Sequence, residues 1–126
     1  MNSIDEKYEQ IYQRFMEICP DMKPFIERVR QIPPPKYRER EILFKKIKSG
    51  DNTVKKRLVE MYLRNALHIA LEAAEISSQP LEDIFSETVI GLMKRLNCPT
   101  ENRNYPAYLR TGMRLIFIKF SFNLSL

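Results

Sequence analysis

Apolar side chains recur every three to four residues along almost the whole chain, which is the spacing of one face of an α-helix. The chain has only 3 glycines, too few for the many tight turns of a β-sandwich or for a glycine-rich phosphate loop. The clearest break is the proline run Pro33–Pro35, because proline disfavours helix in the residue before it. The sequence therefore predicts an all-α fold, a bundle of about five to six helices.

The proline run divides the predicted bundle into an N-terminal helical extension, residues 1–35, and a main helical domain, residues 36–126. Apolar stripes predict helices at about 4–18, from 24 to the proline run, 37–48, 52–76, 81–96 and from 105 onward. Gly50 suits the left-handed position after a helix, and Asp51 suits the N-cap of the next one. Gly91 lies inside a predicted helix, where glycine costs about 1 kcal/mol relative to alanine. Close packing against another helix would explain that glycine.

The formal net charge of +5 is distributed unevenly along the chain. Residues 36–64 carry a net charge of +6 and residues 94–126 a net charge of +5, whereas residues 65–93 contain 5 acidic side chains and no Lys or Arg. This basic–acidic–basic order indicates one face for a polyanion and another for a basic protein surface. Solvated helices that carry their charges in blocks would produce the same order, so charge alone leaves both interpretations open.

Few side chains of the chain could support metal or nucleophilic chemistry. His68 is the single histidine and the two cysteines, Cys19 and Cys98, lie far apart, whereas a structural zinc site needs about four such ligands. Glutamates and aspartates could serve as acid and base, but no paired site emerges from their spacing. We therefore predict a protein without a cofactor and without enzymatic activity, in which His68 is structural.

Nothing in the sequence predicts export or membrane insertion. The start of the chain lacks the basic and apolar regions of a signal peptide, and no apolar stretch approaches the roughly 20 residues of a membrane span. Cysteines without a pairing pattern fit a reducing compartment. We expect a cytoplasmic protein that does not contact a membrane.

The last residues of the chain, 116–126, are unusually apolar: 7 of these 11 side chains are large and apolar. From Phe120 onward, apolar and polar residues alternate, which is the period of a strand. The segment could pack into the core, form an oligomer contact or result from a truncated reading frame, and the sequence leaves these alternatives open.

Three stretches between Ile47 and Arg114 resemble regions 1.2 to 2.3 of the bacterial sigma-70 family of transcription initiation factors. The first, residues 47–71, has a basic helix, a Gly-Asp junction and a helix containing Leu-Arg. The second, PLEDIFSETVIGLMKRL at residues 80–96, is similar to the region 2.2 signature and is the most specific of the three. The third, NYPAYLRTGMR at residues 104–114, resembles region 2.3. The resemblance covers more than half of the chain and implies a region 2-like helical bundle.

In that family the region 2.2 helix docks on the clamp helices of the polymerase β′ subunit. The resemblance therefore implies core RNA polymerase as a partner, contacted by Asp83, Ile84, Glu87 and Met93. The residue types agree, since Asp83 and Glu87 are four positions apart on one helical face and methionine is an adaptable apolar contact. Alternatively, Asp83 is only favourable near a helix N-terminus and Ile84 belongs to the core.

The region 2.3–2.4 helix of the family opens promoter DNA and captures unpaired bases of the −10 element. The resemblance implies that this single strand would meet Arg103, Tyr105, Tyr108, Arg110 and Arg114. Stacking of a base on a tyrosine is worth about 1–3 kcal/mol, and arginines suit the phosphates. For each tyrosine the alternative is a ring buried beneath its helix.

Primary sigma factors carry a tryptophan pair after that tyrosine, whereas this chain has Thr111 and Gly112 there and no tryptophan at all. This difference supports an alternative function, a regulatory decoy or adaptor that binds polymerase or an anti-sigma factor without reading a promoter. Binding of a −10-like single strand at low salt, where phosphate contacts are strongest, distinguishes the two functions.

Overall fold

Helices account for nearly all of the predicted apolar stripes. The computed structural model describes residues 3–97 and 104–122. Short 3₁₀ turns precede the second and fourth helices, and no strand occurs in these ranges, so the all-α prediction is confirmed. The helices of the described ranges are α1 (Ser3–Ile18), α2 (Lys23–Arg30), α3 (Glu39–Lys48), α4 (Lys55–Ile76), α5 (Leu81–Leu96) and α6 (Tyr105–Ser121).

The junction between α3 and α4 forms as its residues predict. Gly50 adopts a left-handed φ of +94°, which a side chain would strain. The Asp51 carboxylate accepts a hydrogen bond from the backbone N–H of Thr53 at 3.0 Å, and a 3₁₀ turn at Asn52–Val54 leads into α4. The predicted left-handed position and N-cap are both confirmed.

The N-terminal helices share one buried cluster with the remainder of the bundle. The rings of Phe15 on α1 and Phe25 on α2 lie against Phe85 of α5, with centroids 5.6 and 5.7 Å apart. The Tyr8 hydroxyl donates to Oδ1 of Asn65 on α4 at 2.9 Å. The predicted extension is therefore packed on the main domain, and the division at residue 35 stays a prediction.

Two arginines of α4 donate hydrogen bonds to backbone carbonyls just before the proline run and within it. Arg64 donates to the Ile32 carbonyl at 2.8 Å, and Arg57 donates to the Pro34 carbonyl at 3.3 Å. Arg57 also pairs with Glu39 of α3 at 2.9 Å. Hydrogen bonds from Arg57 hold the pKa of the Glu39 carboxyl at about 2, well below its ordinary value. The link from α2 to α3 is thus held by charged groups in addition to the packing of Ile32 against the core.

Helices α5 and α6 run antiparallel and approach closely at two glycines. A Cβ added at Gly91 would lie 2.8 Å from the carbonyl oxygen of Gly112, closer than real Cβ atoms come. The close helix packing expected at Gly91 is confirmed. Because the two backbones nearly touch there, the orientation of α6 relative to α5 is set by this crossing.

The C-terminal segment is helical for as far as the structure describes it. The alternation that starts at Phe120 predicts a strand, and this prediction is wrong for its first residues because α6 continues to Ser121. Residues 123–126 lie outside the described part. Ile116, Phe117 and Phe120 pack partly buried against the core, so core packing is the alternative that holds for them. Among the described helices, none combines the length and apolarity that crossing a membrane requires.

Candidate functional site

The outward face of α5 carries an acidic side chain together with large apolar ones. Asp83 is exposed, and it forms no ion pair with another described residue. Ile90 and Met93 are 49% and 47% exposed. Asp83 and Ile90 are seven positions apart, two turns along one side of the helix, and Met93 follows one turn later. The predicted contacts Asp83 and Met93 are therefore available to a partner on one surface.

Ile84 does not belong to that surface. Its side chain is 0% exposed and lies among the buried stripe of α5, so its predicted contact with a partner is corrected to a core role. The alternative interpretation from the sequence, that Ile84 packs inside, is the one the structure supports. The physical reason is the helical period, because Ile84 shares its side of the helix with the buried residues Leu81, Phe85 and Thr88.

Ile90 is the apolar surface residue that sequence reasoning missed. It stands two positions after the buried Thr88 and two before the buried Leu92. Residues two apart on a helix do not face the same direction, so Ile90 points away from both. The signal was present in the sequence, since Ile90 is a large aliphatic residue that does not fit the core stripe of its helix.

Glu87 lies at the edge of the α5 surface and already has a partner within the chain. The Lys119 ammonium of α6 lies 3.1 and 3.2 Å from its two carboxylate oxygens. The two side chains are 39% and 28% exposed, so the pair is open to solvent on one side. No pattern along the sequence predicts this pair, because its members are 32 residues apart and meet only through the antiparallel packing of α5 and α6.

A groove of about 480 Å³ runs between α5 and α6 along the Glu87–Lys119 pair. Its floor is formed where Gly91 and Gly112 bring the helices together, and Ile90 and Leu115 form apolar walls. Because neither glycine has a side chain, the groove remains open above the helix crossing. The α5 surface therefore continues onto α6.

Tyr105 is not available as a stacking platform for a base. Its ring is 2% exposed and stacks on Phe44 of α3, with centroids 5.2 Å apart and an interplanar angle of 25°. Its predicted role is corrected to a core contact that fixes the start of α6 on α3. The reason is tertiary, since α3 supplies an aromatic partner that the local sequence around Tyr105 does not reveal.

Tyr108 is half-buried, and the chain itself contacts its ring. Tyr105 meets the ring edge-on at 6.0 Å, and the Arg95 guanidinium lies 4.5 Å from the ring centroid. Arg95 also donates to the Tyr108 carbonyl at 3.3 Å. A base could stack on Tyr108 only after Arg95 moves aside, so the structure does not present a prepared aromatic platform here.

The predicted phosphate-binding arginines have different placements. Arg110 and Arg114 are exposed, four residues apart on one side of α6, and neither forms an ion pair within the described part of the chain. Arg103 lies outside the described residues. Two unneutralised cations on one helical face suit a phosphate backbone.

A second cleft, of about 460 Å³, opens between α3 and the start of α6 and has a basic rim. The stacked rings of Phe44 and Tyr105 lie in its wall, and the Lys48 ammonium is 5.8 Å from the Tyr105 ring centroid. Lys45 and Arg40 complete the basic rim, and Glu41 is the single acidic residue among the lining residues described. Glu41 is paired with Arg38 at 2.8 Å, so a cation outside the rim shares its charge. We call this feature the basic cleft.

Arg40 and Arg110 extend the positive charge from the basic cleft towards α4 and α6. The Arg40 guanidinium lies 5.8 Å from the ring centroid of the buried Tyr62. Burial raises the pKa of the Tyr62 hydroxyl, and the charges of Arg40 and Arg110 act against that rise. Arg40 on α3 and Arg110 on α6 therefore both lie close enough to the Tyr62 hydroxyl to lessen the rise in its pKa.

His68 and Cys19 are the chemistry-bearing side chains of the described residues that remain to be placed. Across residues 3–97 and 104–122, no three His, Cys, Asp or Glu side chains lie together in a way that could hold a metal ion. Nε2 of His68 lies 2.6 Å from the Glu72 carboxylate one turn later. Cys19 is buried, which raises the pKa of its thiol. The absence of a cofactor and of enzymatic activity stays a prediction.

Comparisons of the chain with protein-family models, with curated proteins and with solved structures found no match.

Proposed function

We propose that the chain is a sigma-70-like transcription protein that docks on the β′ subunit of core RNA polymerase through the outward face of α5. In the same proposal, the basic cleft and the α6 arginines bind the single strand of the −10 promoter element. The support for this function is the sigma-70 resemblance of residues 47–114 together with the surfaces described above.

One observation carries the docking part of the proposal: a carboxylate and two large apolar side chains share the exposed face of α5. Asp83 forms no ion pair with a described residue, and Ile90 and Met93 are about half exposed. Large apolar side chains that remain in water beside unpaired charge are typical of a surface that a partner covers. The acidic charge favours a basic partner, and the lysine-free stretch of residues 65–93 contains this face.

The nucleic-acid part of the proposal rests on positive charge rather than on exposed rings. Arg40, Lys45 and Lys48 surround the basic cleft, and Arg110 and Arg114 are exposed on α6. Phosphate contacts by such cations supply most of the affinity for a single strand without sequence readout. With Tyr105 buried and Tyr108 beneath Arg95, base stacking contributes little until the aromatic contacts rearrange.

Reversal of the charge at Asp83 tests the docking surface. We expect Asp83→Lys to weaken binding to core RNA polymerase about ten-fold, because a cation would then face a basic partner surface. Asp83→Asn, which removes the charge without reversing it, is expected to weaken binding less. The measurement is the dissociation constant for purified core polymerase, determined by titration with the fluorescently labelled full chain.

Glu6→Lys is the matched control, because Glu6 is an exposed acid near the start of α1, whereas it is the chain just after the end of α1, at Cys19, that contacts Glu82 of α5. It makes the same change in net charge and should leave binding unchanged. Circular dichroism establishes that all variants keep their helices. Equal affinities of wild type and Asp83→Lys would refute docking through α5, and no binding of the wild-type chain would refute the polymerase proposal altogether.

One structural observation favours the alternative function, a decoy or adaptor that binds polymerase or an anti-sigma factor without reading a promoter. Tyr105 is 2% exposed and Arg95 covers the ring of Tyr108, so neither predicted platform faces solvent as an open ring. A chain of this kind would keep the α5 docking surface and lose promoter recognition. The two functions therefore differ in their binding of single-stranded DNA.

The salt dependence of DNA binding distinguishes these functions. For a −10-like single strand, each phosphate contact contributes about 0.7 to the slope of log K against log salt. We expect the double variant Arg40→Gln, Lys48→Gln to reduce this slope by about 1.4. The control is Lys7→Gln, Lys23→Gln, which removes the same charge from α1 and α2 and should leave the slope nearly unchanged. Fluorescence anisotropy at several salt concentrations provides the measurement.

Two outcomes would oppose the DNA part of the proposal. If the wild-type chain binds no single strand even at low salt, the decoy or adaptor function is supported instead. If both double variants change the slope equally, the DNA contacts lie outside the basic cleft.

A further inference from the structure

The Glu87–Lys119 pair shows which chemical group the edge of the α5 surface accepts. An ammonium lies 3.1 and 3.2 Å from the two carboxylate oxygens, so both oxygens are within reach of one cation. Since 39% of the Glu87 side chain and 28% of the Lys119 side chain are exposed, a second cation can approach from solvent. Exposed pairs of this kind are weak, typically worth less than about 1 kcal/mol, and a competing cation can therefore displace Lys119.

The surroundings of the pair fit a helix that carries both cations and apolar side chains. Beside Glu87, the groove between α5 and α6 has Ile90 and Leu115 in its walls. Met93 and Ile118 are also exposed, at 47% and 40%, on the same two helices. A partner helix that fills such a groove needs an apolar ridge to cover these side chains and a Lys or Arg near one end to reach Glu87.

We infer that the docking surface spans both α5 and α6, and that Lys119 competes with a lysine or arginine of the partner for the Glu87 carboxylate. The inference rests on the proposed docking function and adds two features to it, the participation of α6 and an internal competitor. The partner is an amphipathic helix that presents a Lys or Arg to Glu87 and an apolar ridge to the groove walls, and acidic or polar side chains to Lys94 and Arg95, which line the same groove. Docking then exchanges one ion pair for another while it buries Ile90 and Leu115.

Removal of the Lys119 charge tests the competition. Lys119→Met keeps the length and the apolar stem of the side chain and removes its ammonium. We expect this variant to bind core RNA polymerase about two- to five-fold more tightly, because the partner no longer displaces an ion pair of ordinary strength. Lys94→Met is the matched control: Lys94 lines the same groove but forms no ion pair with a described residue. An equal gain in Lys94→Met would mean that net charge alone accounts for the effect and would overturn the inference.

Exchange of the two charges provides the stricter test. The double variant Glu87→Lys, Lys119→Glu retains an ion pair between α5 and α6 with reversed polarity, so the stability of the fold is preserved. If Glu87 served only to hold α6, this exchange would restore wild-type binding. We expect instead that the exchanged chain binds polymerase at least about ten-fold more weakly than wild type, because position 87 then places a cation against the Lys or Arg of the partner.

The outcomes separate this inference from the proposed function on which it rests. If wild type binds polymerase and Asp83→Lys binds it more weakly as expected, but Lys119→Met and the exchanged chain both bind like wild type, then the docking function stands and the competition is wrong. If the wild-type chain fails to bind, the docking function itself is wrong. Thermal unfolding of each variant, followed by circular dichroism, confirms that affinities refer to folded protein.

Discussion

Replacement of Ile84 by alanine is expected to lower the free energy of unfolding by about 2–5 kcal/mol, whereas replacement of Ile90 should change it by less than about 0.5 kcal/mol. Both residues are isoleucines of α5, six positions apart. Ile84 is 0% exposed and its truncation leaves a cavity in the core, while Ile90 is 49% exposed and loses few contacts. Urea denaturation of the full chain, followed by circular dichroism at 222 nm, measures both values.

The same pair of variants should show the opposite order in polymerase binding. Ile90→Ala is expected to weaken binding about five-fold, because about half of this side chain would leave water at the interface. Ile84→Ala should leave the affinity of the folded fraction unchanged, since the side chain does not reach the surface. A small stability loss for Ile84→Ala, or equal effects of both variants on binding, would contradict the placement of these residues on α5.

Alanine at Gly91 is expected to lower the free energy of unfolding by about 1–2 kcal/mol, although alanine favours helix by about 1 kcal/mol over glycine. The added Cβ would lie 2.8 Å from the backbone carbonyl oxygen of Gly112. Backbone atoms cannot turn aside as a side chain can, so α5 and α6 must separate along their contact. Overpacking of this kind outweighs the gain in helix propensity, and chemical denaturation measures the difference.

Gly112 provides the control for this prediction, because the atoms around it are of a different kind. A Cβ at Gly112 would meet Cδ of Arg95 at 2.7 Å, and the nearest contacts belong to that flexible side chain. Arg95 can move to another rotamer and give up its contact with Tyr108, so Gly112→Ala should be close to neutral. If Gly91→Ala lowers the free energy of unfolding no more than Gly112→Ala does, the close approach of the two helices is wrong.

Some of the structural features behind these expectations are predictable from the sequence, and others are not. The helices followed from the apolar period, and even the details of the α3–α4 junction, with Gly50 at φ +94° and Asp51 as N-cap, were predictable. Such features depend on contacts between residues within about four positions of each other, which the sequence displays directly. For the same reason the exposed position of Ile90 could have been found from the core stripe of α5.

The errors concerned residues whose environment is made by another helix. Tyr105 was predicted to offer its ring to a base, but Phe44, far away in sequence, covers it at a centroid distance of 5.2 Å. Ile84 was predicted as a partner contact because it is in register with the family pattern. The apolar period of α5 places the same residue in the core, and the structure agrees with the period. The sigma-70 resemblance implied Tyr108 as a second platform, and that role stays a prediction, although the sequence motif contains no information about the Arg95 guanidinium 4.5 Å from the ring centroid.

The sequence by itself therefore determined an all-α chain, the approximate bounds of its helices and an acidic stretch between two basic ones. Only the tertiary structure decided which of those charges remain available: Asp83 is free of ion pairs with described residues, whereas Glu87 is paired with Lys119 across α5 and α6. The physical reason is the separation along the chain of the residues that interact. Helix period, caps and turns act between neighbours in the chain, but burial and ion pairing depend on which helices meet. Here the antiparallel contact at Gly91 and Gly112 brings Lys119 of α6 to Glu87 of α5.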